Sequence, residues 1–119
     1  FPCKPDHPFV YWATLSYVGE LIMAGANCYT YDNGFLHAKG LSIDGKACCY
    51  GTANMDIRSF ELNFEVNAMI FDQNIAGEME RIFREDLKCC TRITKEMYKS
   101  RSVWIRFKEQ ISRLLSPVL

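Results

Sequence analysis

The chain has 119 residues, 49% of them hydrophobic and 24% charged, with 7 Gly and 4 Pro. That length accommodates one domain with a hydrophobic core but not two, and the composition excludes a disordered chain. The formal net charge of zero argues against a free-standing nucleic-acid binder, because phosphate contacts need a basic surplus.

Phe1 to Pro5 read as extended chain. Asp6 is placed as an N-cap, with Pro8 in the first turn of a helix running to about Ala24. Phe9, Trp12, Leu15, Val18 and Ile22 recur at helical spacing there, and Gly25 is placed to end the helix. Cys28 to Tyr31 predict a short strand, and Asp32-Asn33-Gly34 a turn. Phe35 to Ile43 read as a strand, Asp44-Gly45 as a tight turn, and Lys46 to Tyr50 as the return strand of a hairpin. A loop over Gly51 to Asn54 leads to about one helical turn at Asp56 to Phe60. Asn63 to Phe71 alternates Phe64, Val66, Ala68 and Ile70 with Asn63, Glu65 and Asn67, the pattern of a strand.

From Asn74 to about Cys90 the period is helical, with Ile75, Met79, Ile82, Phe83 and Leu87 on one face. Thr94 and Ser102 are N-cap candidates for two further helices. In the last of these, Trp104, Phe107, Ile111, Leu114 and Leu115 fall along one stripe, and Phe107 and Ile111 are expected to pack on the domain. The order of elements predicts an α/β fold, a mixed β-sheet flanked by α-helices, in one domain over residues 1–119 with a helical C-terminal region from about 74. No internal repeat or low-complexity tract interrupts it.

Charge is uneven along the chain: residues 1–87 carry 6 Lys and Arg against 12 Asp and Glu, residues 88–119 carry 8 against 2. A basic tail of this kind is either a solvated helical face or a surface drawn to anions. Six cysteines (Cys3, Cys28, Cys48, Cys49, Cys89 and Cys90) include no C-x-x-C, which excludes the usual zinc spacings. Adjacent cysteines on a strand point to opposite faces, so buried, reduced thiols of a cytoplasmic setting are expected. No apolar run approaches the ~20 residues that span a bilayer, and no signal stretch opens the chain.

Chemistry concentrates between residues 35 and 65. On a strand, His37 and Lys39 share a face, and the Gly51 loop brings Thr52 and Asn54 beside them. An imidazole, an ammonium, a hydroxyl and an amide converging on one spot suit a phosphodiester: donors for the non-bridging oxygens, and a nucleophile or acid for the reaction. The spacing His37-x-Lys39-x4-Asp44-x6-Gly51-Thr52-x-Asn54 resembles the signature of the phospholipase D superfamily at every fixed position. Thr52 stands where many members have Ser, with the hydroxyl retained. Glu65 lies on the next strand, where the superfamily places the acid that hydrogen-bonds its histidine and so fixes its tautomer. The run Asn54-Met-Asp-Ile-Arg-Ser-Phe-Glu-Leu-Asn-Phe-Glu, the opening Lys4-Pro5-Asp6-His7-Pro8 and the ending Arg113-Leu-Leu-Ser-Pro-Val-Leu resemble the second-motif half of bacterial cardiolipin synthases.

The resemblance implies a phospholipase D-like half-domain. Superfamily enzymes use two histidine–lysine motifs meeting across a pseudo-twofold axis, and this chain has one, since His7 lacks the following Lys and Asp. With Phe1 in place of Met at its start, a segment of a longer polypeptide is expected. The implied parent enzyme is a phospholipid transferase that joins two phosphatidylglycerol molecules into cardiolipin and releases glycerol through a phosphohistidine. His37, Lys39, Asp44 and Glu65 are the implied catalytic residues, and Lys39, Thr52 and Asn54 the phosphate-binding ones. The resemblance makes His37 the general acid/base, with nucleophile as the alternative, and Asp44 an anchor of the hairpin. No metal or other cofactor is implied. Implied partners are phosphatidylglycerol and other anionic phospholipid, the N-terminal catalytic half, and the membrane surface. Upstream transmembrane helices would hold the parent in a bacterial cell membrane with the catalytic domain facing the cytoplasm. Two alternatives stay open: a lipase or nuclease acting as a homodimer of single-motif chains, and an inactive membrane-docking fragment. Nucleic acid is not an expected partner.

Overall fold

The computed structural model describes residues 1–4 and 7–118. In chain order these form α1 (Pro8–Met23), β1 (Tyr29–Tyr31), β2 (Gly40–Ile43), β3 (Ala47–Gly51), α2 (Ile57–Glu61), β4 (Asn67–Ile70), α3 (Gln73–Leu87), β5 (Cys90–Arg92), α4 (Lys95–Lys99), α5 (Val103–Leu114) and a 3-10 turn, Ser116–Val118. The chain divides into two compact units, Phe1–Phe35 with Cys90–Leu119, and Leu36–Cys89. Helices and strands mix as the sequence predicts. The strands pair as two small antiparallel sheets, β1-β5 and β2-β3-β4, and the one parallel link among the described residues is an isolated bridge from Pro2 to Tyr31.

In the first unit, α1 opens on Pro8 after an extended His7, which makes no side-chain cap. The expected cap, Asp6, lies outside the described residues. The helix closes with Gly25 N–H donating to Ile22 O (3.2 Å) and Ala26 N–H to Leu21 O (2.9 Å), the paired bonds of a Schellman motif. β1 pairs with β5, Tyr29 opposite Arg92 and Tyr31 opposite Cys90. β5 is too short and too mixed in polarity to carry a periodic signal, and the sequence reading missed it. Thr94 and Ser102 cap α4 and α5 as expected, accepting from Met97 N (3.2 Å) and Ile105 N (3.3 Å).

α5 packs on α1, but through the face opposite to the expected one. Its buried side chains are Glu109 and Ser112, 1% and 0% exposed, whereas Phe107 and Ile111 remain 57% and 40% exposed. The apolar stripe therefore looks outward, which corrects the expectation that it packs on the domain. Amphipathic spacing marks an apolar face; it does not say what that face meets. A local network explains why the polar face goes in. Arg101 donates to the Tyr98 carbonyl (2.6 Å), lies 3.2 Å from the Tyr98 ring centroid and is ion-paired with Glu109. Ser112 Oγ is buried with no hydrogen-bond partner among the described residues.

In the second unit, Asp44 (φ 51°) and Gly45 (φ 62°) form the tip of the β2–β3 hairpin. Positive φ at both central residues is the type I′ geometry that Asp-Gly favours. The register pairs Gly40 with Tyr50 and Ile43 with Ala47, and β3 continues to β4 with Gly51 opposite Asn67. α3 packs on β2 and β3, its N-terminus capped by Asp72, which accepts from Asn74 N (2.8 Å) and Ile75 N (2.9 Å). Cys48 and Ala76 are completely buried. Of the expected apolar face of α3, Ile75, Ile82 and Phe83 stay exposed.

Two strands are shorter than the alternation predicts. Residues 35–39 and 64–66 are irregular, because regular pairing with β3 stops at Gly51. Phe64 and Val66, on the apolar side of that alternation, are fully and largely exposed. None of the six cysteines is in a disulfide, but only Cys48 is buried and Cys89 is exposed, which corrects the expectation of burial throughout. Among the described residues, no helix is long and apolar enough to cross a membrane.

Burial pushes the Glu109 carboxyl up, against the lowering effect of the Arg101 charge and hydrogen bond. Removing Arg101 leaves that carboxylate uncompensated, so Arg101→Ala is expected to cost about 3–5 kcal/mol at neutral pH. A folded pKa above the unfolded one gives a contribution that is present at acid pH and lost as pH rises. The cost of Arg101→Ala should therefore shrink once Glu109 is protonated. Urea titrations of both chains at neutral and acid pH measure this, and an equal loss at the two would refute the ion pair as the cause.

Candidate active site

The antiparallel order β2-β3-β4 places the start of β2, the end of β3 and the start of β4 at one end of the three-stranded sheet. His37 and Lys39 lie just before β2, Thr52 just after β3, and Glu65 just before β4. Four of the expected site residues are thus delivered to one sheet end by three stretches of chain. Asp44 is at the other end, on the hairpin tip, with all of β2 between it and Lys39.

His37 and Lys39 are drawn together although their segment is not a strand: Lys39 Nζ lies 2.6 Å from His37 Nε2. An ammonium has only protons to give, so Nε2 is the acceptor and its lone pair faces Lys39. His37 is exposed and Lys39 half-buried, leaving the pair open to a ligand.

Thr52 is fastened to the lead-in of β4. Its amide donates to Val66 O (3.0 Å) and its hydroxyl accepts from Val66 N (2.9 Å). The hydroxyl's 3.4 Å separation from Val66 O is long for an O–H donor, and its proton is better placed toward Glu65, for which it is a hydrogen-bond partner. Gly51 is what lets the strands close this tightly. A Cβ there would stand 2.1 Å from Asn67 Oδ1 and 2.3 Å from Val66 O, a collision with backbone that no side chain relieves.

Glu65 is held by more than the sequence reading anticipated. Ser59 Oγ donates to Glu65 Oε1 (2.9 Å) and Asn63 Nδ2 donates to the same oxygen (3.3 Å). The Thr52 hydroxyl and then the Ser59 hydroxyl hold its carboxyl below the usual glutamate range, with Asn63 and the Lys39 charge adding to the effect. Ser59 is buried and was not singled out from the sequence. It sits on α2, whose N-cap Asp56 accepts from Ser59 N (2.7 Å), and its Oγ also accepts from Asn54 N (3.0 Å). The Asp56-x-x-Ser59 spacing gives the cap, but only the fold tells that the serine points at a carboxylate. Asn54 is exposed, with its backbone on Ser59. Among the described residues no group of three or more His, Cys, Asp or Glu is placed to hold a metal ion.

A lone pair on imidazole, an adjacent ammonium, a hydroxyl and a fixed carboxylate at one open end of a sheet are groups able to bind and transfer a phosphoryl centre. The family model for the cardiolipin synthase phospholipase D-like domain matches residues 2–87. The chain is 57% identical over 118 residues to a cardiolipin synthase of Oceanobacillus iheyensis, covering 99% of this chain and 25% of that protein. Identity is 58% to the major cardiolipin synthase of Bacillus subtilis and 53% to cardiolipin synthase 1 of Staphylococcus epidermidis, each over 99% of this chain and 24% of the relative. The chain thus spans about a quarter of the length of the curated relatives it matches. No solved structure gives a significant match.

Ser59→Ala removes one of the donors that depress Glu65, and the Glu65 carboxyl is expected to titrate at higher pH. A carboxyl with a lowered folded pKa contributes stability above its unfolded value and loses it as pH falls through the folded one. The variant's acid unfolding should therefore begin at higher pH than the parent's. Carbon-detected NMR titration of Glu65 reads the shift, and an unchanged midpoint would show that Ser59 does not set it.

Proposed function

The chain belongs to the family of cardiolipin synthase phospholipase D-like domains, and from this we propose that it is the second catalytic half of a phosphatidyltransferase. Residues 1–119 act as one domain in this reading, with the two compact units as its parts. The parent enzyme condenses two phosphatidylglycerol molecules into cardiolipin and glycerol. The observation that carries the proposal is the 2.6 Å approach of Lys39 Nζ to His37 Nε2 at the sheet end that also holds Thr52 and Glu65.

The reaction runs in two displacements. A histidine of the N-terminal half attacks phosphorus, a P–N bond forms, and the P–O bond to glycerol breaks while His37 gives the leaving oxygen a proton. His37 then takes the proton of a second phosphatidylglycerol's hydroxyl, whose oxygen attacks phosphorus and breaks the P–N bond. Lys39 and Asn54, with Thr52 in support, receive the non-bridging oxygens. Glu65, its carboxyl held below the usual glutamate range, orients the ring of His37. Asp44, at the remote hairpin tip, anchors the turn. The N-terminal half is the partner that completes the site, and anionic lipid in a bacterial cell membrane is the substrate, met from the cytoplasmic side. Exposed Met55, Phe60, Phe64 and Val66 flank the site in sequence, apolar surface of the kind that a second half-site or acyl chains cover.

In the full-length parent, His37→Ala is expected to abolish cardiolipin formation, and Lys39→Ala to lower its rate about 10²–10³-fold, as for loss of a transition-state donor. Glu65→Gln should fall between these and the parent, because the reacting group survives. Thin-layer separation of products from labelled phosphatidylglycerol distinguishes cardiolipin from phosphatidic acid, the hydrolase product. Near-parental rates for both His37→Ala and Lys39→Ala would overturn the assignment.

The turn role of Asp44 has its own test. Asn-Gly satisfies a type I′ turn as well as Asp-Gly, so Asp44→Asn should keep transfer within a few-fold of the parent. A loss comparable to that of Lys39→Ala would place the carboxylate in the chemistry instead.

A further inference from the structure

α5 is inverted relative to an ordinary surface helix. The side of the helix against α1 buries the Glu109 carboxylate and the unpartnered Ser112 hydroxyl. The opposite side leaves Trp104 and Leu114 at 75% and 81% exposure, with Phe107 and Ile111 between them. Trp104 and Phe107 stack edge to face, ring centroids 6.4 Å apart, at the N-terminal end of this stripe. A continuous exposed stripe of large apolar groups marks an interaction surface.

The charges around the stripe identify what covers it. Lys95 and Lys99 on α4, and Arg106 and Lys108 on α5, are exposed. The acids nearby do not balance them: Glu96 is the one exposed acid of residues 88–119, Glu109 is buried against Arg101, and Glu20 is paired with Arg113. Residues 88–119 carry 8 basic against 2 acidic side chains. Apolar insertion flanked by uncompensated cations, with an aromatic pair at one end, is the chemistry of a helix lying in an anionic bilayer interface. We infer that α5 is such a helix, with Trp104, Phe107, Ile111 and Leu114 inserted among the acyl chains of an anionic bilayer and the surrounding lysines and arginines on headgroup phosphates. The choice of a lipid occupant rests on the transferase reading above. Arg101, paired with buried Glu109, takes no part.

The chain contains two tryptophans, so Trp12→Phe makes Trp104 the only one, and its fluorescence reports insertion directly. Vesicles of phosphatidylglycerol and phosphatidylcholine should shift its emission to the blue, and brominated acyl chains should quench it, far more weakly with phosphatidylcholine alone or at high salt. Phe107→Glu with Leu114→Glu should lower the vesicle-bound fraction roughly tenfold or more while circular dichroism stays unchanged, since both side chains are exposed. A Trp104 spectrum indifferent to anionic vesicles overturns the inference. So does a lipid-free dimer, seen by sedimentation velocity, that the same double substitution dissociates, because the stripe then meets a second copy. The readout needs no turnover, and the chain carrying His37→Ala should insert like the parent. Insertion without transferase activity in the parent enzyme would therefore sink the catalytic reading alone, and activity with Trp104 left in water would sink this one alone.

Discussion

Thr52 binds Val66 through its amide and through its hydroxyl, and the same hydroxyl reaches Glu65. Through these bonds the loop after β3 is tied to the lead-in of β4, and Glu65 is presented to the end of the sheet where His37 and Lys39 emerge. The tie depends in turn on the bare backbone of Gly51, against which Asn67 and the Val66 carbonyl lie too close for any Cβ. A hydroxyl after a glycine is therefore first a structural requirement. Serine or threonine satisfies it equally, which explains why Thr52 costs the pattern nothing. The short helix α2 completes the arrangement by holding Ser59 with one oxygen bound both to Glu65 and to the Asn54 amide. Preorganisation of this kind is what a site needs to meet developing charge without rearranging.

Around that ordered centre the packing is thin. The second unit buries Cys48 and Ala76 completely and little else, while Phe60, Phe64 and Phe71 are largely open. The first unit spends part of its interior on an arginine–glutamate pair and an unpartnered serine. Buried ion pairs contribute little net stability, because desolvation offsets most of their attraction. What such a pair does provide is a fixed orientation. Among the described residues the cationic hydrogen-bond partner of Glu109 is Arg101, so α5 cannot rotate its apolar stripe inward without stranding a carboxylate. The outward stripe is thus enforced by a polar lock.

The parts of this structure legible in the sequence are those fixed by neighbours along the chain. Pro8 starts α1 and Gly25 follows its end; Thr94 and Ser102 cap the helices they precede; Asp44-Gly45 turns the hairpin. The clustering of His37, Lys39 and Thr52 was legible for the same reason, since they are close in sequence and a hairpin brings them to one sheet end. What escaped was set by distant partners. β5 exists only because β1 pairs with it. Ser59 matters only because Glu65 returns to it. Phe64 and Val66 alternate like a strand, but β3 has already ended, so the alternation has no sheet to sort them.

The closeness of His37 and Lys39 carries a last consequence for the proposed chemistry. Two basic groups 2.6 Å apart are joined by one hydrogen bond, in which the ammonium donates and the ring nitrogen accepts. In the resting state Lys39 occupies the lone pair of Nε2. An entering phosphodiester offers that ammonium two oxygens that share one negative charge, a better partner than a ring nitrogen. In the proposed chemistry Lys39 then moves to the phosphoryl group, and the Nε2 position it covered is freed to exchange a proton with the substrate's oxygens. Substrate binding and activation of the histidine are one event in this arrangement, because the same ammonium cannot hold both partners.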